Sequence, residues 1–171
     1  MRPPQRRILK CILFLVCAVA GAEPGRAATQ VAQVNANVVK PLILTWLQNL
    51  DLGTITLAPG TWSGATVAIS RTGVFSCANA NLTCTGATQV ATYNVSGTNR
   101  SVVTITAPNV TLVNQSDSTQ TLTLVVDNPG SVLLTNSGPP GTNFSLGGSI
   151  ALGSSTAGGV YVGTFNVTVD Y

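Results

Sequence analysis

Apolar and polar residues alternate with a period of two over many short stretches of this sequence. In the last thirteen residues, one parity carries Tyr161, Phe165, Val167, Val169 and Tyr171, while the other is mostly polar. Alternation of this kind is typical of a strand with one buried face, which either closes its own sheet or pairs with another molecule. No stretch beyond residue 27 keeps apolar residues at helical spacing over three turns, so the pattern predicts an all-β protein.

The first alternating stretch runs from Ala32 to Leu44, and we predict one long strand there, interrupted at Lys40-Pro41 because proline cannot donate to a ladder. Its even positions include Ala32, Val34, Ala36 and Val38. About nine further strands are predicted at 52–57, 65–70, 73–76, 90–95, 102–107, 110–113, 122–126, 132–134 and 144–152, followed by the terminal strand.

Short strands separated by turn residues predict a single antiparallel sandwich of the immunoglobulin-like or pilin-like kind, or a flattened barrel. Turn signals include Pro59-Gly60, Asn128-Pro129-Gly130 and Gly138-Pro139-Pro140-Gly141. The side chains expected to point inward are Val34, Val38, Leu42, Leu44, Ile55, Val67, Ile69, Tyr93, Val95, Val103, Ile105, Leu122, Leu124, Val126, Ile150, Phe165, Val167 and Val169.

The first residues have the pattern of a secretory signal peptide. Basic residues precede an apolar run from Cys11 to Ala22, which is shorter than the ~20 residues needed to span a bilayer. Small residues offer cleavage after Ala22 or after Ala27, and we favour Ala27. We therefore expect a signal peptide over residues 1–27 and a mature β-sandwich domain over residues 28–171, exported to the periplasm, outer surface or medium, with no membrane span in the mature protein.

Removal of the leader changes the charge of the chain. The basic residues that remain are fewer than the acidic ones, Asp51, Asp117, Asp127 and Asp170, and the net charge falls from positive to slightly negative. The mature surface therefore lacks the basic footprint of a nucleic-acid-binding protein. Thr, Ser, Asn and Gln supply most of its polarity, which leaves little repulsion against self-association.

Two cysteines remain after cleavage, Cys77 and Cys84, with six residues between them. In an exported protein a pair this close predicts one structural disulfide that pins a loop or hairpin tip. The alternative, a redox-active pair, normally uses a C-x-x-C spacing at a helix N-terminus.

The residue inventory argues against enzyme chemistry. The sequence contains no histidine, which removes the usual general base and the commonest metal ligand. We therefore predict no catalytic residue, no metal and no cofactor. Trp46 and Trp62 lie near the first two loops, where they form a candidate ligand platform for sugar rings or, alternatively, cover the end of the core.

Two terminal blocks of the sequence resemble a known family. Residues 37–44 (NVVKPLIL) with 50–55 (LDLGTI), and residues 146–153 (LGGSIALG) with 157–171, are similar to an exported bacterial family called domain of unknown function 4402. The resemblance implies a Gram-negative exported protein with a sandwich similar to those of pilins and spore-coat-U-like subunits. It implies no activity and no catalytic residues.

These observations lead to two functional hypotheses. The first is a non-enzymatic structural subunit of the cell surface, in a fimbria-like filament or a coat, that associates with itself or with other surface subunits. In a filament the strand containing Ala32, Val34, Ala36 and Val38 would be exchanged between neighbours by β-augmentation. The alternative is a stand-alone adhesin or carbohydrate-binding module that uses Trp46 and Trp62.

Overall fold

Thirteen β-strands and no helix make up the described part of the chain. The structure is a computed structural model that describes residues 27–171; most of the predicted signal peptide lies outside these residues. The strands are β1 Ile43–Gln48, β2 Thr54–Leu57, β3 Ala65–Ile69, β4 Phe75–Ser76, β5 Leu82–Thr85, β6 Ala91–Ser96, β7 Val102–Thr106, β8 Val110–Asn114, β9 Thr121–Asp127, β10 Ser131–Leu133, β11 Thr142–Leu152, β12 Tyr161–Val162 and β13 Thr168–Asp170. Within residues 27–171 there is no helix long and apolar enough to cross a membrane.

All pairs between these strands are antiparallel, which confirms the predicted fold class. The largest sheet follows the order β1-β6-β11-β9-β8-β12, and β3 joins it by pairing with β11 and β4. Two smaller sheets, β10-β7-β13 and β2-β5, pack against it. Residues 37–171 form one compact unit.

The long strand β11 connects the two halves of the sandwich. Its first half, Thr142 to Leu146, pairs with β6, and its second half, Gly148 to Leu152, pairs with β3. Gly147 lies between these two halves and pairs with Asp127 of β9. A single strand therefore belongs to two differently oriented parts of one curved sheet.

The core consists of two hydrophobic clusters, one in each half. The first lies between β6, β7 and the start of β11, and its centre includes Val95, Val103 and Leu146, all completely buried. The second lies between β3, β8, β9 and the end of β11, and it is covered by residues of β2 and β5. Leu50 and Phe165 pack against both clusters and make the core continuous.

The alternating segment at the end of the sequence pairs within its own chain. It forms two short strands: β12 pairs with β8, and β13 pairs with β7. Phe165, Val167 and Val169 are half-buried, whereas Asn166 and Thr168 are exposed, as their parity predicted. The sequence left open whether this segment closes its own sheet or pairs with another molecule. In the structure it closes its own sheet.

The first predicted strand is wrong in its extent. Residues 27–42 carry no strand, and β1 begins only at Ile43. Val34 and Val38, which were expected to point inward, are 92% and 84% exposed. The alternation shows that this segment can form a half-buried strand, but a strand also needs a ladder partner, which residues 27–42 lack among the described strands.

Strand β5 was not predicted at all. Its residues, Leu82 to Thr85, include Cys84 and were assigned to the disulfide loop, yet all four pair with β2. Of the other inward predictions, Val67, Val95, Val103 and Ile105 are confirmed as buried.

Candidate functional site

A groove opens over the second core cluster. Its floor belongs to β8, β9 and β11, its walls are formed by residues 49–55 and 156–165, and its volume is about 990 Å³. The floor residues are Val110, Leu112, Leu122, Leu124, Ile150 and Leu152.

The apolar floor follows from strand register. Leu124 pairs with Val110 on one side and with Ile150 on the other, and Leu112 pairs with Leu122. Residues directly opposite each other in antiparallel strands point to the same face of a sheet. The consecutive strands β8 and β9, together with β11, thus present one continuous apolar surface. Its outer members, Leu112 and Leu122, are only half-buried.

One wall of the groove contains a strand with a free edge. Strand β2 pairs with β5 from Thr54↔Thr85 to Leu57↔Leu82, and Thr54, Ile55 and Leu57 also line the groove. Among residues 27–171 no strand pairs with the second edge of β2. A free edge beside an apolar floor is the arrangement that accepts an additional strand.

The mouth of the groove is aromatic. Trp46 pairs with Tyr93, so that both rings lie on the same face of the sheet; Trp46 is 57% exposed, whereas Tyr93 is buried. The Tyr93 ring stacks on Phe144 with 5.6 Å between the ring centroids. Burial raises the pKa of the Tyr93 phenol above its ordinary value, so the group stays neutral.

The groove carries little charge. Asp51 is the only acidic or basic residue in its lining. One oxygen of this carboxylate, Oδ1, accepts a hydrogen bond of 2.8 Å from the Gly53 amide, while the Asp51 backbone bridges to Gln89. Asp51 therefore shapes the turn before β2. The lining as a whole suits an uncharged, partly apolar occupant.

Trp62 has a different environment from Trp46. Its indole packs against the second core cluster, and Nε1 donates a hydrogen bond of 3.1 Å to the carbonyl oxygen of Ala58. Trp62 does not line the groove. The structure therefore does not bring the two predicted platform residues together in this site.

Comparison of the sequence with protein-family models places the chain in a family. The sequence model of a domain of unknown function, DUF4402, matches residues 43–171. The chain belongs to the DUF4402 family. No curated protein matches the chain. No solved structure matches it either.

The match to the DUF4402 model begins at the first residue of β1 and includes every strand. Residues 28–39, which we call the arm, precede the DUF4402 domain. The four predicted exchange residues, Ala32, Val34, Ala36 and Val38, are all exposed in the arm. The arm contains no charged residue.

The two cysteines of the DUF4402 domain form the predicted disulfide. Cys77 and Cys84 are bonded, with their Cα atoms 6.4 Å apart, and both pack against the second core cluster. Two backbone hydrogen bonds hold the enclosed loop: the Leu82 amide donates to the carbonyl oxygen of Asn79 within the loop, and the Ala58 amide, outside it, donates to the carbonyl oxygen of Asn81. The bridge thus fixes the position of β5 beside β2, the strand whose other edge is free.

Two other carboxylates of the DUF4402 domain have local partners. Asp127 accepts hydrogen bonds from the backbone amide and the guanidinium of Arg71, both at 2.7 Å. Asp117 accepts from the hydroxyl and the amide of Thr119, and these bonds lower the pKa of its carboxyl group. Within residues 27–171 no three His, Cys, Asp or Glu side chains cluster as metal ligands.

Proposed function

We propose that this protein is a non-enzymatic structural subunit of the bacterial cell surface, fimbria-like or coat-like, that is exported and then associates with copies of itself. In this proposal the arm of one copy enters the groove of the next as an added strand. The observation that carries it is the combination, in one chain, of an unpaired alternating segment and an apolar groove beside a free strand edge.

The arm is long enough to cover the free edge of β2. The seven residues from Ala32 to Val38 extend about 23 Å as a strand, and the four residues of β2, Thr54–Leu57, extend about 13 Å. An added strand would place Ala32, Val34, Ala36 and Val38 on the apolar floor and would turn Gln33, Asn35 and Asn37 to solvent.

Burial energetics support the same pairing. Val34 and Val38 are 92% and 84% exposed in the free arm, and burying a valine side chain contributes about 1.5–3 kcal/mol. Insertion would also give the free edge of β2 a ladder partner. Because the arm is uncharged and Asp51 is the only charged groove residue, insertion desolvates few charges.

A pair of double variants tests the exchange. In the mature oxidised protein, Val34→Asp with Val38→Asp places two carboxylates on the face that would enter the groove. Asn35→Asp with Asn37→Asp places the same charge on the opposite face, and all four positions are exposed in the free arm. Light scattering coupled to size-exclusion chromatography should find oligomers for the wild type and for the asparagine variant, but monomers for the valine variant.

A peptide experiment tests the groove directly. A synthetic peptide of residues 28–39 should bind the valine double variant and shift the methyl resonances of Leu112, Leu122 and Ile150. The same peptide carrying both valine-to-aspartate changes should not. Equal association of the two double variants, or peptide binding that leaves the floor resonances unchanged, would contradict strand exchange.

A stand-alone adhesin or carbohydrate-binding module is the second candidate. The exposed indole of Trp46 at the groove mouth favours it, since a flat apolar ring can stack on a sugar face. Under this alternative, glycan binding would be abolished by Trp46→Ala and retained by Trp62→Phe, because only Trp46 lines the groove.

A further inference from the structure

Strand β1 is the longest strand at an edge of the three sheets. It has six residues, Ile43–Gln48, and within residues 27–171 it pairs only with β6. The other strands at the edges, β2, β4, β5, β10, β12 and β13, have two to four residues each. A short strand offers little backbone to another chain, which is one way in which proteins protect their edges. Strand β1 lacks this protection.

The free edge of β1 is also apolar and uncharged. Ile43, Trp46 and Leu47 are 60%, 57% and 49% exposed. The strand contains no charged residue, no proline and no glycine. Charged side chains and proline normally protect an edge, whereas uncharged segments of high β-propensity tend to pair between chains. The register with β6 shifts only after Trp46, so the residues from Ile43 to Trp46 present a regular edge.

We propose that β1 pairs antiparallel with β1 of a second copy, so that the largest sheets of two molecules become continuous across a two-fold axis. A free edge is completed by the backbone of another strand. An edge that pairs with its own copy forms a closed contact between two molecules. This contact is separate from the groove, because β6 lies between β1 and the nearest floor strand, β11.

The charges on either side of β1 favour a second copy in the antiparallel direction. Lys40 precedes the strand and Asp51 follows it, and both residues are exposed. In the part of the chain that the structure describes, the one ion pair joins Arg71 to Asp127, so both flanking charges lack an ionic partner there. Antiparallel pairing brings the Lys40 end of each strand to the Asp51 end of the other. Parallel pairing would instead place like charges side by side, which is unfavourable.

A two-fold axis at Thr45 gives a register that fits the side chains. Opposite residues of antiparallel strands point to the same face of the sheet, and an axis at Thr45 satisfies this rule because it pairs residues of equal parity. Leu44 of each copy then lies opposite Trp46 of the other, and Ile43 lies opposite Leu47. The exposed apolar side chains of β1 thereby cover one another, and the two Thr45 side chains meet at the axis.

This contact is weaker than strand exchange and has a different symmetry. It uses only residues 43–47 and no groove, so the dilution on a column separates the two copies. Exchange of the arm is head-to-tail and extends a filament, whereas two-fold pairing closes on itself and joins two filaments laterally. Only this lateral role rests on the proposed function, since the pairing itself needs neither the arm nor the groove.

The test uses protein comprising residues 28–171 with Val34→Asp and Val38→Asp, whose charged arm does not enter the groove. Sedimentation equilibrium at high concentration should find dimers and nothing larger. Thr45→Lys in this background places two like charges at the axis, and we expect it to lower the association constant about three- to tenfold. Thr104→Lys is the matched control and should leave association unchanged, because Thr104 is also exposed but its strand, β7, has a partner on each side.

A cysteine variant in the same background tests the register. Opposite residues of antiparallel strands have Cα atoms about 4.5–5.5 Å apart, which is within the range that a disulfide spans. Thr45→Cys should therefore form disulfide-linked dimers when diamide is added as the oxidant, and Thr104→Cys should not. Cys77 and Cys84 are already bonded to each other and offer no free thiol.

Three results would overturn the pairing of β1. They are a charged-arm protein that stays monomeric at every concentration, equal association of Thr45→Lys and Thr104→Lys, and equal cross-linking of the two cysteine variants. Particles larger than dimers in the charged-arm background would overturn the two-fold symmetry. A wild type that forms nothing larger than this dimer would refute the proposed function instead, and would leave the pairing of β1 supported.

Discussion

Gly147 is the residue at which β11 passes from β6 to β3, and replacing it with alanine tests whether this transition needs a residue without a side chain. A Cβ atom at Gly147 would lie 2.5 Å from the amide nitrogen of Arg71 and 2.5 Å from the carbonyl carbon of Ser70, and closer still to the carbonyl oxygen of Ile69. All three atoms belong to the backbone at the end of β3. They cannot move aside as the tip of a side chain can.

The expected cost follows from this geometry. Forcing a methyl group into a closely packed region typically costs about 1–3 kcal/mol. We expect Gly147→Ala to reach the upper part of this range, because relief of the clash must displace backbone next to the Gly148↔Ile69 pair. This cost is a substantial fraction of the roughly 5–15 kcal/mol by which domains are stable.

Gly153→Ala is the matched control. Gly153 directly follows β11, and a Cβ atom there would meet nothing within 4 Å. Since alanine restricts the unfolded chain more than glycine does, this variant should be unchanged or up to about 1 kcal/mol more stable. Urea unfolding of oxidised protein comprising residues 28–171, followed by tryptophan fluorescence, measures both free energies. Equal midpoints for the two variants would refute the close approach of β11 and β3.

Two further predictions concern the disulfide and one carboxylate. Replacing Cys77 and Cys84 with serine should lower the free energy of unfolding by about 2–3 kcal/mol, as loss of a short cross-link predicts; a wild type whose urea midpoint is the same with and without reductant would contradict this. Thr119→Val removes the hydroxyl that most lowers the pKa of Asp117, so that pKa should rise toward its ordinary value in a carboxyl NMR titration. A lowered pKa contributes stability to the fold at pH values above the ordinary pKa, and this stability is lost as the pH falls through the pKa of the folded state. The variant should therefore lose less stability on acidification than the wild type. An unchanged titration of Asp117 would exclude the Thr119 hydroxyl as the cause of the lowered pKa.

Much of the local structure could be predicted from the sequence alone. The parity of Val67, Val95, Val103 and Ile105 predicted which side chains are buried, because the side-chain period of a strand is two wherever the strand lies. The spacing of the two cysteines predicted their bond. These features depend on residues that are close in sequence.

The candidate site could not be predicted in this way. Its floor combines the consecutive strands β8 and β9 with β11, and periodicity does not encode which strands pair with one another. Each tryptophan directly follows a threonine and lies near one of the first two loops, yet only Trp46 lines the groove. No pattern in the sequence marks the hydrogen bonds that join Lys40 to Tyr171 across the fold.

Two alternating segments, residues 27–42 and 161–170, illustrate which features the sequence determines and which only the tertiary structure decides. Both have the pattern of a half-buried strand, and the sequence alone determined that each has one apolar face. The tertiary structure decided that Tyr161–Val162 pairs with β8 and Thr168–Asp170 with β7, whereas residues 27–42 pair with no described strand. A strand is completed by the backbone hydrogen bonds of its neighbour, and which neighbour lies beside it is a property of the folded chain.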